Sequence, residues 1–451
     1  MFRKHLWIAP LALIIAAGRA EAVPAFSTQT GQPCATCHVG SFGPELTSFG
    51  RNFKLTGYTM QGGDGKLIPV SLAVQFTYTN TSKGQPGGAA PDFGNNGNFA
   101  FDQVNAFLAG RVTDNVGGFV QGTYSGIDKT FALDNVDVRA VTDTSVAKHD
   151  LELGVSVNNG PTVEDIYNSS YAWTYPYIAS GLAPTPSAGT ILGGPLLGDT
   201  LGVVAYGDLD QALLVSAGGY DTQAPGFMKI FGESYGPGAE TGIAPYLRTA
   251  YDTNIGPADA HIGATFLTSR FNPAVDVRTI ESDLGHDKYT DLALDGGAQW
   301  LNSDVHQFTA NLLYNHEWRR LDGTTALGGA LTPNGTVDEA RATGTYYFKQ
   351  TYGLTASWQH LWGSEDPVLY GQGTPISGSA NGKPNSNAYI LEADWVPFGK
   401  DGSLASPFVN LKLGVQYTIY TEFNGGTTNY DGFGRNASDN NTLYLFLWTV
   451  F

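Results

Sequence analysis

Cysteine is almost absent from this chain, and its scarcity limits the kinds of protein that the chain can be. Two cysteines in 451 residues cannot form the disulfide framework of a small secreted fold. Charged residues make up only 14% of the chain, and 24 basic residues stand against 41 acidic ones. Because phosphate binding requires clustered lysine and arginine, this balance argues against a nucleic acid partner.

Long apolar runs are also missing after the first part of the chain, so the sequence predicts no membrane-spanning helix there. Glycine, with 58 residues, and aromatic side chains, at 12%, are abundant instead. Hydrophobic residues reach 42%, which argues against disorder. This composition favours an all-β surface or outer-membrane protein, and a large β-barrel can run to this length as one domain.

Residues 1–22 have the pattern of a secretory signal peptide. A basic start at 3–5 precedes an apolar stretch at 6–17, and Ala20-Glu21-Ala22 offers a small-x-small cleavage site. The apolar stretch is too short to be a membrane anchor, since a spanning helix needs ~20 residues. We therefore expect cleavage before Val23 and export into an oxidising compartment.

Both cysteines lie in one motif, Cys34-Ala35-Thr36-Cys37-His38, which has the C-x-x-C-H spacing of c-type haem attachment. Two thiols one helical turn apart can add across the two vinyl groups of one haem, and His38 then ligates the iron as the proximal ligand. A redox dithiol would need a thioredoxin-like setting, a zinc site would need four ligands, and a disulfide closing so short a loop would stabilise little. The motif predicts one covalent haem c held by Cys34 and Cys37.

The residues leave the sixth iron ligand open. Met60 is the candidate distal ligand in the N-terminal segment, and its alternative role is to fill a gap in a small core. Ligation by two histidines would have to recruit a residue from further along the chain: His149, His261, His306 or His316.

Residues 23–66 form the predicted haem module, which is near the size at which a domain needs a metal, a disulfide or a partner to fold. Its aromatic residues can surround one haem but cannot build a separate core. They are Phe26, Phe42, Phe49, Phe53 and Tyr58. The module is therefore expected to depend on the haem and on residues 67–451.

From residue 67 onward, apolar and polar residues alternate with period two in runs that suit transmembrane strands. In the first run, Val70, Leu72 and Val74 share one face, and Ser71 and Ala73 share the other. Sixteen strands are predicted, starting near residues 67, 99, 116, 131, 149, 199, 211, 243, 258, 286, 305, 337, 352, 386, 408 and 442.

The predicted connections alternate between short turns and long segments rich in Gly, Pro, Asn and Ser, as in outer-membrane barrels with tight periplasmic turns and long external loops. The turns lie around 114–115, 208–210, 254–257, 302–304 and 400–402, and the long segments are 81–97, 158–197, 221–242, 269–285, 319–336, 363–385 and 423–441. A soluble sandwich would not sort its connections so regularly.

The predicted fold class is all-β: an antiparallel transmembrane barrel of about 16 strands, with a small helical cytochrome c-like module in or at the lumen. A barrel of this size encloses an aqueous lumen. The longest predicted loop, 158–197, either folds into that lumen near the haem or packs on itself outside. The last strand ends on the aromatic Phe451, as in bacterial barrel proteins.

A single C-x-x-C-H directly before a porin-like barrel resembles the fused monohaem cytochrome c–porin family of the bacterial outer membrane, which includes outer-membrane cytochromes of the iron-oxidising type. The resemblance is carried by Gln32 to His38, Leu46 to Lys54 and Gly57-Tyr58, with less weight on Val157 to Asp165. Over the barrel it is architectural only. It implies one-electron transfer between an extracellular donor or acceptor, Fe(II) among the candidates, and a periplasmic c-type cytochrome or other carrier.

Two further hypotheses remain open at this point. The chain could be a diffusion porin whose haem module is a sensor or a plug, or an assembly or adhesion barrel whose haem module docks partners. No acid–base or nucleophile constellation is evident, so catalysis beyond electron transfer is not predicted. Under every hypothesis the expected surroundings are outer-membrane lipid.

Overall fold

The computed structural model describes residues 24–63, 69–194, 196, 200–222, 238–273, 275–276, 279–280, 285–403 and 409–451. The predicted signal peptide, residues 1–22, lies outside the described residues. The predicted boundary between module and barrel, at 66–67, lies outside them as well.

Sixteen long strands form the barrel in the described part of the chain. They are β1 (Val70–Thr81), β2 (Asn98–Arg111), β3 (Val116–Ser125), β4 (Thr130–Val146), β5 (His149–Asn158), β6 (Thr200–Leu209), β7 (Leu213–Thr222), β8 (Ala244–Ile255), β9 (Ala258–Asn272), β10 (Asp287–Trp300), β11 (His306–Leu321), β12 (Asn334–Phe348), β13 (Tyr352–Gly363), β14 (Ser386–Trp395), β15 (Asn410–Glu422) and β16 (Thr442–Val450). Two-residue strands at Ala239–Glu240, Val275–Asp276 and Thr279–Ile280 lie in the connections. All sixteen predicted strands are confirmed.

The barrel is closed, because each long strand pairs antiparallel with the next and β16 pairs back onto β1. The closing register runs from Ala73 opposite Val450 to Thr81 opposite Thr442. Phe451 completes it, since its amide donates to the Leu72 oxygen at 2.9 Å and its oxygen accepts from the Leu72 amide at 2.7 Å. Closure leaves no free sheet edge, which is the condition for a sheet to cross a bilayer.

The two faces of the wall differ as the alternation predicts. On β1, Val70, Leu72 and Phe76 are exposed on the outside, while Ser71 and Ala73 are buried inside. The same outward apolar pattern recurs around the barrel, so the outer surface suits lipid and the inner one suits water and polar groups. The chain is a barrel of the outer-membrane type. Among the helices in the described ranges, none is long and apolar enough to span a membrane.

The strand connections follow the predicted alternation with two differences. The β4–β5 turn is Ala147-Lys148, with φ of 52° and 76°, the left-handed pair that two-residue hairpins require. The turn predicted around Asp208 lies slightly later, between Leu209 and Leu213. On the long-loop side, β3 and β4 are joined by residues 126–129 alone.

The N-terminal module lies inside the lumen, at the end of the barrel that carries the short turns. Its helices are α1 (Pro24–Thr30), α2 (Cys34–Cys37) and α3 (Ser48–Leu55), with a 3-10 turn at Val39–Ser41. Gln299, near the end of β10, donates to the Leu46 oxygen at 2.8 Å. Asn410, at the start of β15, donates to the Ser41 oxygen at 2.7 Å. Contacts from separate parts of the wall hold the module within the barrel.

The described part of the long connection between β5 and β6, here the inward loop (residues 159–194 and 196), folds into the lumen and includes a 3-10 turn at Tyr171–Trp173. The Tyr171 hydroxyl donates to Glu339 on β12 at 3.0 Å. The Tyr175 hydroxyl donates to Glu392 on β14 at 3.1 Å. The lumenal interpretation of this loop is therefore correct. The other external loops carry α4 (Asp322–Ala326) and a 3-10 turn at Ala437–Asn440.

A charge placed on the lipid-facing wall should destabilise the barrel according to depth. Leu391 lies mid-strand on the outer face of β14, and Trp395 ends the same strand on the same face. Leu391→Arg should lower the free energy of unfolding in lipid vesicles by about 2–4 kcal/mol, and Trp395→Arg by about 0–1 kcal/mol. Denaturant titrations followed by fluorescence measure both. Equal losses would contradict the assigned membrane-facing surface.

Candidate cofactor site in the lumen

Cys34, Cys37 and His38 all line one cavity of about 480 Å³ inside the barrel. The module, the inward loop and the strand wall from β1 to β4 enclose it, with β16 and the start of β15 completing the lining. Sites for small molecules and cofactors usually measure ≈ 300–1,000 Å³. The structure thus brings the three residues of the C-x-x-C-H motif to one space of cofactor size.

The short α2 helix sets the positions of the two thiols. The His38 amide donates to the Cys34 oxygen at 2.9 Å, so the motif forms one helical turn. The Ala35 amide donates at 2.9 Å to the oxygen of Gly399, in the β14–β15 connection. The motif is therefore anchored to the barrel wall as well as to the module.

Thr47 joins the motif helix to α3. Its hydroxyl oxygen accepts from the Gly50 amide at 3.2 Å and caps the N-terminus of α3. The same hydroxyl donates to the Thr36 oxygen at 2.5 Å. At Gly50, a Cβ would lie 2.3 Å from the Cys37 oxygen, so only glycine allows this approach of α3 to the motif.

Gly57 lets the chain turn after α3 and deliver Tyr58 to the cavity. Its φ is 66°, and a Cβ there would lie 2.8 Å from the Val141 side chain on β4. The Tyr58 hydroxyl donates to Asp137 on the inner face of β4 at 2.7 Å. Gly50, Gly57 and Tyr58 all belong to the residues that carry the family resemblance, and each has a structural reason to be there.

Aromatic rings form one side of the cavity. The ring centroids of Phe26 and Phe53 lie 5.0 Å apart, and Tyr58 lies 5.4 Å from Phe26. Phe42 lines the cavity and packs against Trp448 of β16 at 5.0 Å. Phe49, the fifth predicted aromatic residue, is 37% exposed and is not among the lining residues.

The strand wall contributes a polar side that sequence reasoning missed. Its amide and carboxyl side chains come from β1 to β4: Gln75, Gln103, Asn105, Gln121, Asp134 and Asn135. The available signal was the polar face of each alternating strand, but periodicity does not say which strands border the module. Trp173 of the inward loop also reaches the cavity.

The two thiols have the environment of buried, unreactive cysteines. They form no disulfide with each other. Burial raises the pKa of both, and that of Cys37 to about 12. A redox dithiol needs a lowered thiol pKa, so this setting does not suit one. In the stretches that the structure covers, no three His, Cys, Asp or Glu side chains converge to hold a metal ion.

His38 has the neutral imidazole and the unpaired ring nitrogen that an iron ligand needs. Burial lowers the pKa of its imidazole to about 4, which keeps the ring neutral at pH 7. Its Nδ1 atom is buried without a hydrogen-bond partner among the described residues. With two thiols one turn away and aromatic rings beside it, the site fits a covalently attached haem.

Met60, the predicted distal ligand, does not line this cavity. Its main-chain oxygen accepts from Gln29 Nε2 at 2.9 Å, and Gln29 Oε1 accepts from the Arg111 amide at 2.8 Å. Gln29 thus ties the Met60 segment to the rim of β2. The structure brings Cys34 and His38 together, but it does not bring Met60 to them.

The histidines named as alternative ligands are also absent from the cavity lining. His149 pairs with Asp210 at the short-turn rim, and His306 is exposed beside Tyr346. His261 is stacked on the Tyr167 ring at 4.4 Å. His316 faces the outside of β11, where its Nδ1 lies 2.7 Å from Asp338.

Lys54 is the cavity-lining residue whose role sequence reasoning overlooked. Its ammonium donates to the oxygens of Val163 at 2.8 Å, Asp165 at 2.6 Å and the Asn168 side chain at 2.8 Å. It also lies 4.6 Å from the centre of the Trp173 ring, a cation–π distance. Burial and the nearby Arg139 guanidinium lower the pKa of Lys54 to about 7, while the carboxylates of Asp137, Asp165 and Glu164 favour its charged form. Lys54 therefore binds the module to the inward loop.

Arg139, on the inner face of β4, joins the wall to both of these parts. Its guanidinium donates to Asp137 at 2.9 Å, to the Lys54 oxygen at 3.1 Å and to the Glu164 oxygen at 2.5 Å. Only 1% of Arg139 is exposed. A second anchor is Arg51, which forms an ion pair with Asp259 at the start of β9.

Comparison with known proteins adds the general fold. No protein-family model and no curated protein matches the chain. Among solved structures, the fold is similar to an anion-selective porin from Comamonas acidovorans, at 10% identity over 84% of this chain and 98% of that one, with a TM-score of 0.45. The channel DcaP of Acinetobacter baumannii shares 10% identity over 85% of this chain and 96% of that one, at 0.44. OmpT of Vibrio cholerae gives the same identity and coverages at 0.42. These likenesses concern the fold alone, and the sixteen-stranded barrel rests on the strand pairing.

Removing the Lys54 ammonium should loosen the module from the inward loop. Lys54→Met leaves three acceptors unpaired and should lower the free energy of unfolding by about 3 kcal/mol. The matched control is Lys129→Met, which removes an exposed ion pair with Asp92 and should have no measurable effect. Urea titration of both variants measures the difference. A Lys54→Met protein as stable as the control would contradict this contact.

Glu45 should make the protein less stable as the pH rises. Its side chain accepts from Asn311 at 2.9 Å, and burial raises its pKa above the usual 4.5. The folded state then keeps this proton to higher pH than the unfolded chain, so its contribution to stability is lost as the pH rises above 4.5. Glu45→Gln should flatten that decline in urea titrations across pH. The exposed Glu365→Gln should leave it unchanged, and identical profiles for both variants would refute the assignment.

Proposed function

We propose that this protein carries electrons across the outer membrane through one covalently bound haem c held in the barrel lumen. The observation that carries the proposal is that Cys34, Cys37 and His38 line a single cavity of about 480 Å³ in the lumen. The spacing of the motif, the neutral imidazole and the aromatic lining agree with the same cofactor. Resemblance to fused cytochrome–porins points in the same direction.

In this proposal, Cys34 and Cys37 hold the haem by thioether bonds and His38 ligates its iron. The bound haem supplies one-electron oxidation and reduction. The chain itself sets the surroundings that tune such a group: apolar rings on one side and amide side chains on the other. The buried thiols favour this role over a redox dithiol.

The position of the module defines the two sides from which partners approach. The module fills the short-turn end of the lumen, which in outer-membrane barrels faces the periplasm. A periplasmic c-type cytochrome or another carrier would meet it there. The inward loop lies on the other side, towards the extracellular donor or acceptor, for which Fe(II) is one candidate.

Four lumenal carboxylates are compensated by cations on the strand wall. Asp295 pairs with Arg248 at 2.7 Å, and Glu392 pairs with Lys412 at 2.9 Å. Glu317 and Glu339 each pair with an arginine two residues later on the same strand. These four carboxylates would therefore not by themselves attract a cation.

The second candidate is a diffusion porin whose module acts as a sensor or plug. A sixteen-stranded wall with a polar inner face favours it, since barrels of this size can hold an aqueous channel. The module and the inward loop occupy that space here. Wild-type protein in planar bilayers should therefore pass little current, whereas large stable currents would favour the porin.

The decisive test starts with purified protein from a host that attaches haem c. A haem that survives acid–acetone extraction and gives the sharp α and β bands of a c-type pyridine haemochrome would show covalent attachment. Proteoliposomes with a soluble c-type cytochrome trapped inside should then show its reduction when Fe(II) or dithionite is added outside. Cys34→Ala/Cys37→Ala protein should form the barrel without this reduction. Haem-free wild-type protein, or equal reduction by both proteins, would overturn the proposal.

A further inference from the structure

The iron of a haem bound to Cys34, Cys37 and His38 would have to find its sixth ligand among the residues that line the same cavity. The donors that commonly complete haem ligation in electron carriers are histidine and methionine. Among the described lining residues, His38 is the one histidine and there is no methionine. The position opposite His38 therefore has no ordinary side-chain donor in the described structure.

Met60 does not line the cavity, and hydrogen bonds hold the main chain of its segment. The Gln29 Nε2 atom donates to the main-chain oxygens of Met60 and Tyr58, the latter at 2.7 Å. The Gln29 Oε1 atom accepts from the main-chain amide of Arg111 on β2. These bonds fasten the segment to the barrel rim. Ligation by Met60 would require the segment to leave this rim.

Lys54 is the remaining nitrogen donor in the lining, and it is already engaged. A coordinating amine needs a free lone pair, whereas the Lys54 nitrogen donates three hydrogen bonds to the inward loop. An ammonium with three acceptors has no lone pair to offer a metal. Ligation by Lys54 would break the contact between module and loop.

We propose that no side chain among the described residues ligates the iron opposite His38, and that this position is open to water or to a small neutral ligand such as carbon monoxide or nitric oxide. The inference rests on the proposed function, since it concerns the same haem. The amide side chains of Gln75, Gln103 and Asn105 face the cavity and offer hydrogen bonds to a bound diatomic molecule. The site would then bind a small ligand as well as transfer electrons.

The test uses detergent-purified holoprotein and its optical spectrum. Dithionite-reduced wild-type protein should be high-spin and should bind carbon monoxide at one equivalent per haem, with a shift of the Soret band. Met60→Leu should have the same spectrum and the same affinity, within twofold. These results would support an open sixth position.

Two outcomes would overturn the inference while leaving the electron-transfer proposal in place. One is a low-spin wild-type protein that is inert to carbon monoxide while Met60→Leu binds it, which would make Met60 the ligand. The other is an inert wild type in which Lys54→Gln, or alanine at a histidine other than His38, opens the site. Absence of covalent haem would instead overturn the proposed function itself.

Discussion

The arrangement of the lumen depends on the hydrogen bonds that the buried guanidinium of Arg139 donates. It bonds the barrel wall through Asp137, the end of α3 through the Lys54 oxygen and the inward loop through the Glu164 oxygen. A buried charge is tolerated only when such partners surround it. Wall, module and loop are therefore linked through one cation, because removing the module or the loop would take away one of its three hydrogen-bond partners.

The same dependence explains how so small a module can form a site. Its helices are too short to enclose a cofactor, so the strands supply the missing walls and the inward loop supplies a cover. Arg51 and Gln29 tie its two ends to different parts of the barrel rim. The barrel thus does for the module what a larger hydrophobic core does in an independent domain.

The fold was predictable because each strand carries its own signal. Side chains alternate between lipid and lumen with period two, and every connection falls in one of two length classes, so local patterns suffice to find and count the strands. The exception is the short β3–β4 connection on the long-loop side. The grouping of Cys34, Cys37 and His38 was predictable for the same reason, because the three residues are neighbours in the sequence. Met60 was chosen by nearness in sequence, which does not determine whether its side chain reaches the cavity.

The sequence alone therefore determined the barrel, the strand positions and the three residues of the attachment motif, since all of these depend on neighbours within one element. Tertiary structure alone decided the remaining lining of the cavity, the hydrogen bonds between Lys54 and the inward loop, and the course of that loop into the lumen. These depend on contacts between residues far apart in the chain, such as Tyr171 with Glu339. Such pairings are set when the barrel closes, because closure places inner faces opposite one another across the lumen.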